Sequence, residues 1–243
     1  MARTARTVAI GCYQDRSTGF EPCDVTVAID VIRTSTVAVT AVALGRRCFP
    51  VTSLEAATDL ANHLEEPLLV GELGGHMPFG FDVTNSPALI AGRVDVSRPM
   101  ILLSSSGTQL IHAARGSVYI ACLRNYGALV RHISGVQGNV AVIGAGTRGE
   151  FREEDALCCA WIAAGLLDSG FEAADGRTLE VIEKWADQPA ESIVGGNSAA
   201  YLRDTAQLHD LDFILSHVDD LEAVFTRRNG EIVIAPDGAA TQP

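Results

Sequence analysis

Three stretches of the chain repeat one plan: a β-branched apolar run, a short polar or glycine-bearing turn, then a segment of helical character. Val25-Thr26-Val27-Ala28-Ile29 leads into Asp30-Val31-Ile32-Arg33-Thr34-Ser35 and an Ala/Val-rich stretch that stops at Gly45. Pro99-Met100-Ile101-Leu102-Leu103 leads into Ser104-Ser105-Ser106-Gly107-Thr108 and a helix expected through about Ala114. Asn139-Val140-Ala141-Val142-Ile143 leads into Gly144-Ala145-Gly146-Thr147-Arg148-Gly149, with a helix expected from about Glu153 to Leu167. Apolar runs without alternation are strands covered on both faces, and strand–turn–helix units in series build a largely parallel sheet with helices on both sides. The fold class is therefore α/β. Ligands of such sheets bind beyond the carboxyl ends of the strands, where the three turns are expected to gather.

Local signals extend this plan. Thr52 with Glu55 three residues later fits a capping box opening a helix through about Leu64. Glu153-Glu154-Asp155 place carboxylates in a first helical turn, where the helix dipole favours them, and capping alone would explain all three. The stretch 168–196 is more polar and reads as looser. With no internal repeat or low-complexity linker, residues 1–243 are expected to form one domain, with the tail after Pro236 frayed.

Composition narrows the class. The 18 Lys and Arg against 30 Asp and Glu give a net charge of −12, too few cations for a nucleic-acid face, although one Arg and a few N–H groups can still hold a small anion. The longest apolar runs, near 37–45 and 156–167, are too short for the ~30 Å of a membrane core. The start, with two arginines and a short apolar stretch, does not predict a secretory leader. Six cysteines without a CxxC spacing read as buried, reduced small hydrophobes, so a cytoplasmic setting is expected.

Several turns could carry chemistry. Asp30 ends an apolar strand, where a carboxylate can bind a divalent cation or act as nucleophile, and Arg33 with the following helix start could hold a phosphate or sulfonate. The glycine-dense loop Gly71–Asp82 offers Glu72 and Asp82 as oxygen ligands suited to Mg²⁺. Ser104–Thr108 resembles an anion cradle but lacks the Lys of a Walker A loop. Gly144-x-Gly146-x-x-Gly149 matches a dinucleotide fingerprint, yet Glu150, Glu153, Glu154 and Asp155 follow, a poor setting for a pyrophosphate. Asp30-Val31-Ile32 has an apolar residue where haloacid-dehalogenase-type phosphatases carry their general acid.

Together, Ala28-Ile29-Asp30-Val31-Ile32-Arg33-Thr34-Ser35-Thr36, Gly71-Glu72 and Gly80-Phe81-Asp82-Val83-Thr84-Asn85-Ser86-Pro87 resemble the successive motifs of the 2-phosphosulfolactate phosphatase (ComB) family. Ser106-Gly107-Thr108, Asn125, Ala145-Gly146 and Glu150-Phe151 with Asp155 continue the likeness, over about residues 8–235. The resemblance implies a three-layer α/β/α fold with a mixed, largely parallel sheet, and Mg²⁺-dependent hydrolysis of 2-phosphosulfolactate in coenzyme M biosynthesis. By carry-over it implies Asp30, Glu72 and Asp82 as metal or catalytic acids and Arg33 as catalytic cation. Ser35, Asn85, Ser86, Ser106, Gly107, Thr108, Asn125, Gly146, Glu150 and Asp155 become candidate substrate contacts.

Two departures stand out: Leu73 replaces the family's arginine after Gly-Glu, and Ser106 replaces its asparagine before Gly-Thr. An arginine–anion contact is worth ~1.5–3 kcal/mol, so these changes bear on substrate preference while leaving the acids intact. The leading expectation is a Mg²⁺-dependent phosphatase of a small phosphorylated hydroxyacid. A non-catalytic anion-binding protein of the same fold and a nicotinamide-dependent oxidoreductase are the alternatives, and a homodimer remains open.

Overall fold

Each apolar run becomes a strand and each following stretch a helix. The computed structural model describes residues 6–13, 23–147 and 150–236. In chain order these form β1 (Thr7–Cys12), β2 (Val25–Ile29), α1 (Thr34–Ala43), β3 (Cys48–Val51), α2 (Leu54–Ala61), β4 (Leu68–Gly71), α3 (Pro87–Ala91), β5 (Met100–Leu103), α4 (Gly107–Ala113) and β6 (Ser117–Ala121). There follow α5 (Tyr126–Ile133), β7 (Asn139–Gly144), α6 (Glu153–Asp168), β8 (Glu172–Ala173), α7 (Gly176–Trp185) and a 3₁₀ turn (Ala190–Gly195). The chain ends in α8 (Asn197–Asp204), α9 (Leu208–Ser216), β9 (Phe225–Arg228) and β10 (Glu231–Ile234).

Among the described residues the strands form one mixed sheet in the order β4-β5-β3-β10-β9-β6-β2-β7-β1-β8. The blocks β4-β5-β3 and β6-β2-β7-β1-β8 are parallel internally, and antiparallel pairings through β10 and β9 join them. Three antiparallel steps make the two blocks run in opposite senses.

Strand alternation assigns the faces. Val25, Val27 and Ile29 pack with Leu129 and Ile133 of α5 and Leu157 and Ile162 of α6. Ala28 points the other way, into a cluster shared by Val37 and Val39 of α1, Met100 and Leu102 of β5, and Ile232 of β10. Ile101 and Leu103 face a third cluster with Ala57 of α2. The layering is α/β/α, and α1, buried from Thr34 to Val42, is its inner helix. It touches β3, β6 and β10, so the sheet wraps around it. That wrapping brings together strand ends that a flat sheet with opposed blocks would hold apart.

Some local expectations are corrected. Ser53 caps α2, accepting from Ala56 N at 3.1 Å, because the backbone turns into the helix one residue after Thr52; the helix ends at Ala61, short of Leu64. The stretch 168–196 is ordered as β8, α7 and the 3₁₀ turn. Arg177, Glu180, Glu183 and Lys184 mask the amphipathic stripe of α7, which starts at Asp175 accepting from Thr178 N at 2.7 Å. Cys12, Cys48, Cys122, Cys158 and Cys159 are buried and Cys23 is partly buried, none of them in a disulfide among the described residues. The expected frayed tail, 237–243, lies outside the described residues. No helix among the described residues is long and apolar enough to cross a membrane.

Because α1 is enclosed on all sides, Ala38→Leu should cost roughly 1–3 kcal/mol by overpacking, whereas Leu54→Ala on exposed α2 should change stability by less than ~0.5 kcal/mol. Urea unfolding of the two variants checks this contrast.

Candidate active site

The turns after β2, β4, β5 and β7 meet at a cavity of about 470 Å³, which α6 and α8 help to close. The β2 turn supplies Asp30, Ile32, Arg33 and Thr34, and Asn85 stands beside them. The β4 and β5 turns supply Glu72, Gly74, Gly75, Ser105 and Ser106. The β7 turn and α6 supply Gly146, Thr147, Arg152, Glu154 and Asp155, with Asn197, Ser198 and Tyr201 from α8.

Register places the two most central turns side by side. Ile29 pairs with Gly144, and Ala145 N donates to Ile29 O at 2.7 Å, which carries the alignment past the strand ends. Asp155 then locks the turns: its Oδ1 accepts from Val31 N at 2.9 Å and its Oδ2 from Gly146 N at 3.1 Å. Gly146 has φ +61, and a side chain there would meet Cys12 Sγ and Glu150 O. Gly107 is needed for close approach, since a Cβ would lie 2.2 Å from Asp30 Oδ2.

The carboxylates crowd one another. Burial, then the charge of Glu72, raises the Asp30 pKa, while hydrogen bonds from the Thr34 hydroxyl and N–H and the charge of Arg33 draw it back. The Thr34 hydroxyl in turn accepts from Asn85 Nδ2 at 3.3 Å. Burial, with Asp30 and Glu154 nearby, holds Asp155 well above the usual carboxylate range. Burial pushes Glu154 up to about 7, opposed chiefly by a hydrogen bond from Ser198. Glu72 is satisfied: Oε1 accepts from Ser105 N at 2.7 Å, and Oε2 from Gly75 N at 2.8 Å and Ser105 Oγ at 2.9 Å.

Two buried oxygens that line the cavity, Asn85 Oδ1 and Glu154 Oε2, have no hydrogen-bond partner. Arg33 Nη1 donates to Asp210 Oδ2 at 2.6 Å in a fully buried pair, and to Gln207 Oε1. Asp210 Oδ1 accepts from Ser86 Oγ and from Ala88 N at 3.2 Å, so α9 and α3 jointly hold Arg33 in place.

Of the residues expected at the site, Asp30, Arg33, Glu72, Asn85, Ser106, Gly146 and Asp155 line the cavity, and Gly107 abuts Asp30. Asp82 does not. Its Oδ2 accepts from Leu69 N at 2.9 Å and faces Arg98 at 3.4 Å, on a neighbouring surface cavity. Ser35 closes the Asp30 turn, its hydroxyl donating to Asp30 O at 2.7 Å. Ser86 caps α3, and Thr108 bonds back to Ser104. Asn125 closes a turn, accepting from Cys122 N at 3.0 Å and donating to Ile120 O at 3.1 Å. Glu150 is exposed, 3.7 Å from Arg152. Of the dinucleotide-like glycines, Gly149 lies outside the described residues, and Asp155 already occupies the Gly146 N–H.

Sequence reasoning missed Arg152, Asn197, Ser198, Tyr201 and Asp210, and read Glu154 only as a possible cap.

The model of the family described as 2-phosphosulpholactate phosphatase matches residues 13–230. The chain belongs to this family. A probable 2-phosphosulfolactate phosphatase of Symbiobacterium thermophilum is 36% identical over 226 residues, covering 87% of this chain and 90% of the relative. One of Deinococcus radiodurans is 31% identical over 197 residues, covering 78% and 82%. The 2-phosphosulfolactate phosphatase of Methanothermobacter thermautotrophicus is 29% identical over 159 residues, covering 65% and 68%. Of this chain's two departures from the family motifs, Ser106 lines the cavity, whereas Leu73 does not.

No three His, Cys, Asp or Glu side chains among the described residues converge as a metal cage. The cavity still suits Mg²⁺, which is commonly held by one or two carboxylates together with substrate phosphate. Asp30 and Glu154 are acids without a dedicated buried cation, and the unpartnered Glu154 and Asn85 oxygens are hard donors.

Glu154 has a pH consequence. Its raised pKa means the folded state holds the proton more tightly, so stability is greatest below the ordinary value of 4.5 and falls as the pH rises through about 7. In EDTA, Glu154→Gln should flatten that decline and stabilise the protein at pH 8 by roughly 1–3 kcal/mol, read from urea unfolding at pH 5 and pH 8.

Proposed function

We propose that the cavity hydrolyses the phosphate ester of a small, multiply anionic hydroxyacid, 2-phosphosulfolactate, giving sulfolactate and phosphate with Mg²⁺. The observation that carries this reading is the setting of Asp30. It is a carboxylate at a strand end, oriented by Thr34, abutted by Gly107 and facing a cavity shared with Arg33. The family match over nearly the whole chain supplies the reaction class, and the relatives' names supply the substrate.

In this reading Asp30 stands at the reacting phosphorus. Thr34 fixes its orientation, and Asn85 fixes the Thr34 hydroxyl. Arg33, immobilised by Asp210, counters the charge that grows on the phosphoryl oxygens in the transition state. Glu72 serves as a clamp in this reading: three donors hold its carboxylate and tie the β4 turn to the β5 turn. Asp30 and Glu154 would hold the metal, with Asn85 Oδ1 as a neutral donor beside them. When bound, Mg²⁺ neutralises phosphoryl oxygens and makes the phosphorus more electrophilic. Ile32, at the place of a general acid in another phosphatase class, lends the cavity no proton.

Phosphate release from racemic 2-phosphosulfolactate and from phospholactate, in about 5 mM Mg²⁺ or in EDTA, tests the proposal. Mg²⁺-dependent release from the sulfonate is expected, and Asp30→Asn should lower kcat by ~10²–10⁴ while folding normally. Release from phospholactate alone would keep the ester chemistry and change the substrate. No release from either, or near-normal turnover by Asp30→Asn, would contradict it.

A further inference from the structure

Resting on the hydrolase reading, the cavity poses a problem of charge. Four carboxylates line it, yet its substrate would bring a phosphate and at least one more anionic group. Among the described residues two arginines line it. Arg33 is fixed in place: its guanidinium is buried against Asp210, a carboxylate that is itself fully buried, which leaves it a single position, at the phosphoryl group. Leu73, where the family motif carries an arginine, does not line the cavity and supplies no cation.

Arg152 differs from Arg33 on every count. It comes from the residue before α6 and lines the cavity together with Glu154 and the α8 residues Asn197 and Ser198. Its side chain is 16% exposed, and its ion-pair partner among the described residues is Glu150, at 3.7 Å and 71% exposed. Its Nε is buried without a hydrogen-bond partner. A buried guanidinium donor beside a cavity costs free energy unless something accepts from it, and a forked cation suits a planar or tetrahedral oxyanion.

We infer that Arg152 is the specificity-determining residue of this site. It binds the anionic group of the substrate that is not transferred, the carboxylate or sulfonate, while Arg33 serves the phosphoryl group. The Arg152 side chain makes no cap hydrogen bond at the start of α6, so replacing it leaves that helix start intact.

The test combines binding with kinetics. Calorimetry with sulfolactate, which lacks phosphate, reads the subsite without catalysis. Arg152→Met should weaken sulfolactate by ~10–150-fold, the equivalent of one charge-assisted contact, and Arg152→Lys should recover part of it. In turnover, Arg152→Met should raise KM for 2-phosphosulfolactate by a similar factor with kcat little changed, and leave p-nitrophenyl phosphate hydrolysis unaffected. If the KM effect persists on phospholactate, the carboxylate is the group held; if it vanishes there, the sulfonate is. Failure of the wild type to bind sulfolactate, equal sulfolactate binding by wild type and Arg152→Met, or an equal loss with p-nitrophenyl phosphate, would overturn the inference. Wild-type protein that binds sulfolactate but releases no phosphate would refute the hydrolase reading and leave this assignment standing.

Discussion

Among the described residues, four carboxylates share the wall of one small cavity with two arginines, and the rest of the structure manages that imbalance. Each acid has its own arrangement. Asp155 and Glu72 accept backbone N–H groups and so become struts between turns. Asp30 is steadied by Thr34. Glu154 keeps an oxygen with no partner at all. Burying unpaired carboxyl groups is expensive, so such a cluster is a cost in stability that an active site accepts for its chemistry.

The fold makes the cluster possible through one departure from a plain parallel sheet. The β9–β10 hairpin reverses the sense of the second block, and the sheet wraps around the buried helix α1. The β4 and β5 turns thereby meet the β2 and β7 turns. Gly107 shows how tight the meeting is, because even a methyl group would collide with Asp30. The buried Arg33–Asp210 pair extends the same logic outward. Removing one partner of such a pair leaves an unpaired buried charge, typically at ~3–5 kcal/mol, which ties the late helix α9 to the site as firmly as the strands are tied.

The strands, the three turns and the central place of Asp30 were legible because uninterrupted apolar runs have one physical reading, a strand covered on both faces. The reversal of the blocks was not legible, since it depends on a hairpin more than a hundred residues away in sequence from β2. Hydroxyls and amides misled for a local reason. Ser35, Ser86, Thr108 and Asn125 are residue types that suit a substrate and a turn equally well; Ser35, Thr108 and Asn125 are used by their own turns, and Ser86 caps α3 while also bonding Asp210. Asp82 misled because a glycine-dense loop does not say which way its acid faces. Arg152 and the α8 residues were invisible, because only the closed cavity relates them to Asp30.

The central claim is that Asp30 sits in a carboxylate cluster which a divalent cation relieves. Thermal unfolding of the wild type and Asp30→Asn, in EDTA and in about 5 mM Mg²⁺, tests it most directly. The account predicts that Asp30→Asn melts higher than the wild type in EDTA, and that Mg²⁺ raises the melting temperature of the wild type alone. A variant that melts lower in EDTA, or a wild type indifferent to Mg²⁺, would contradict it.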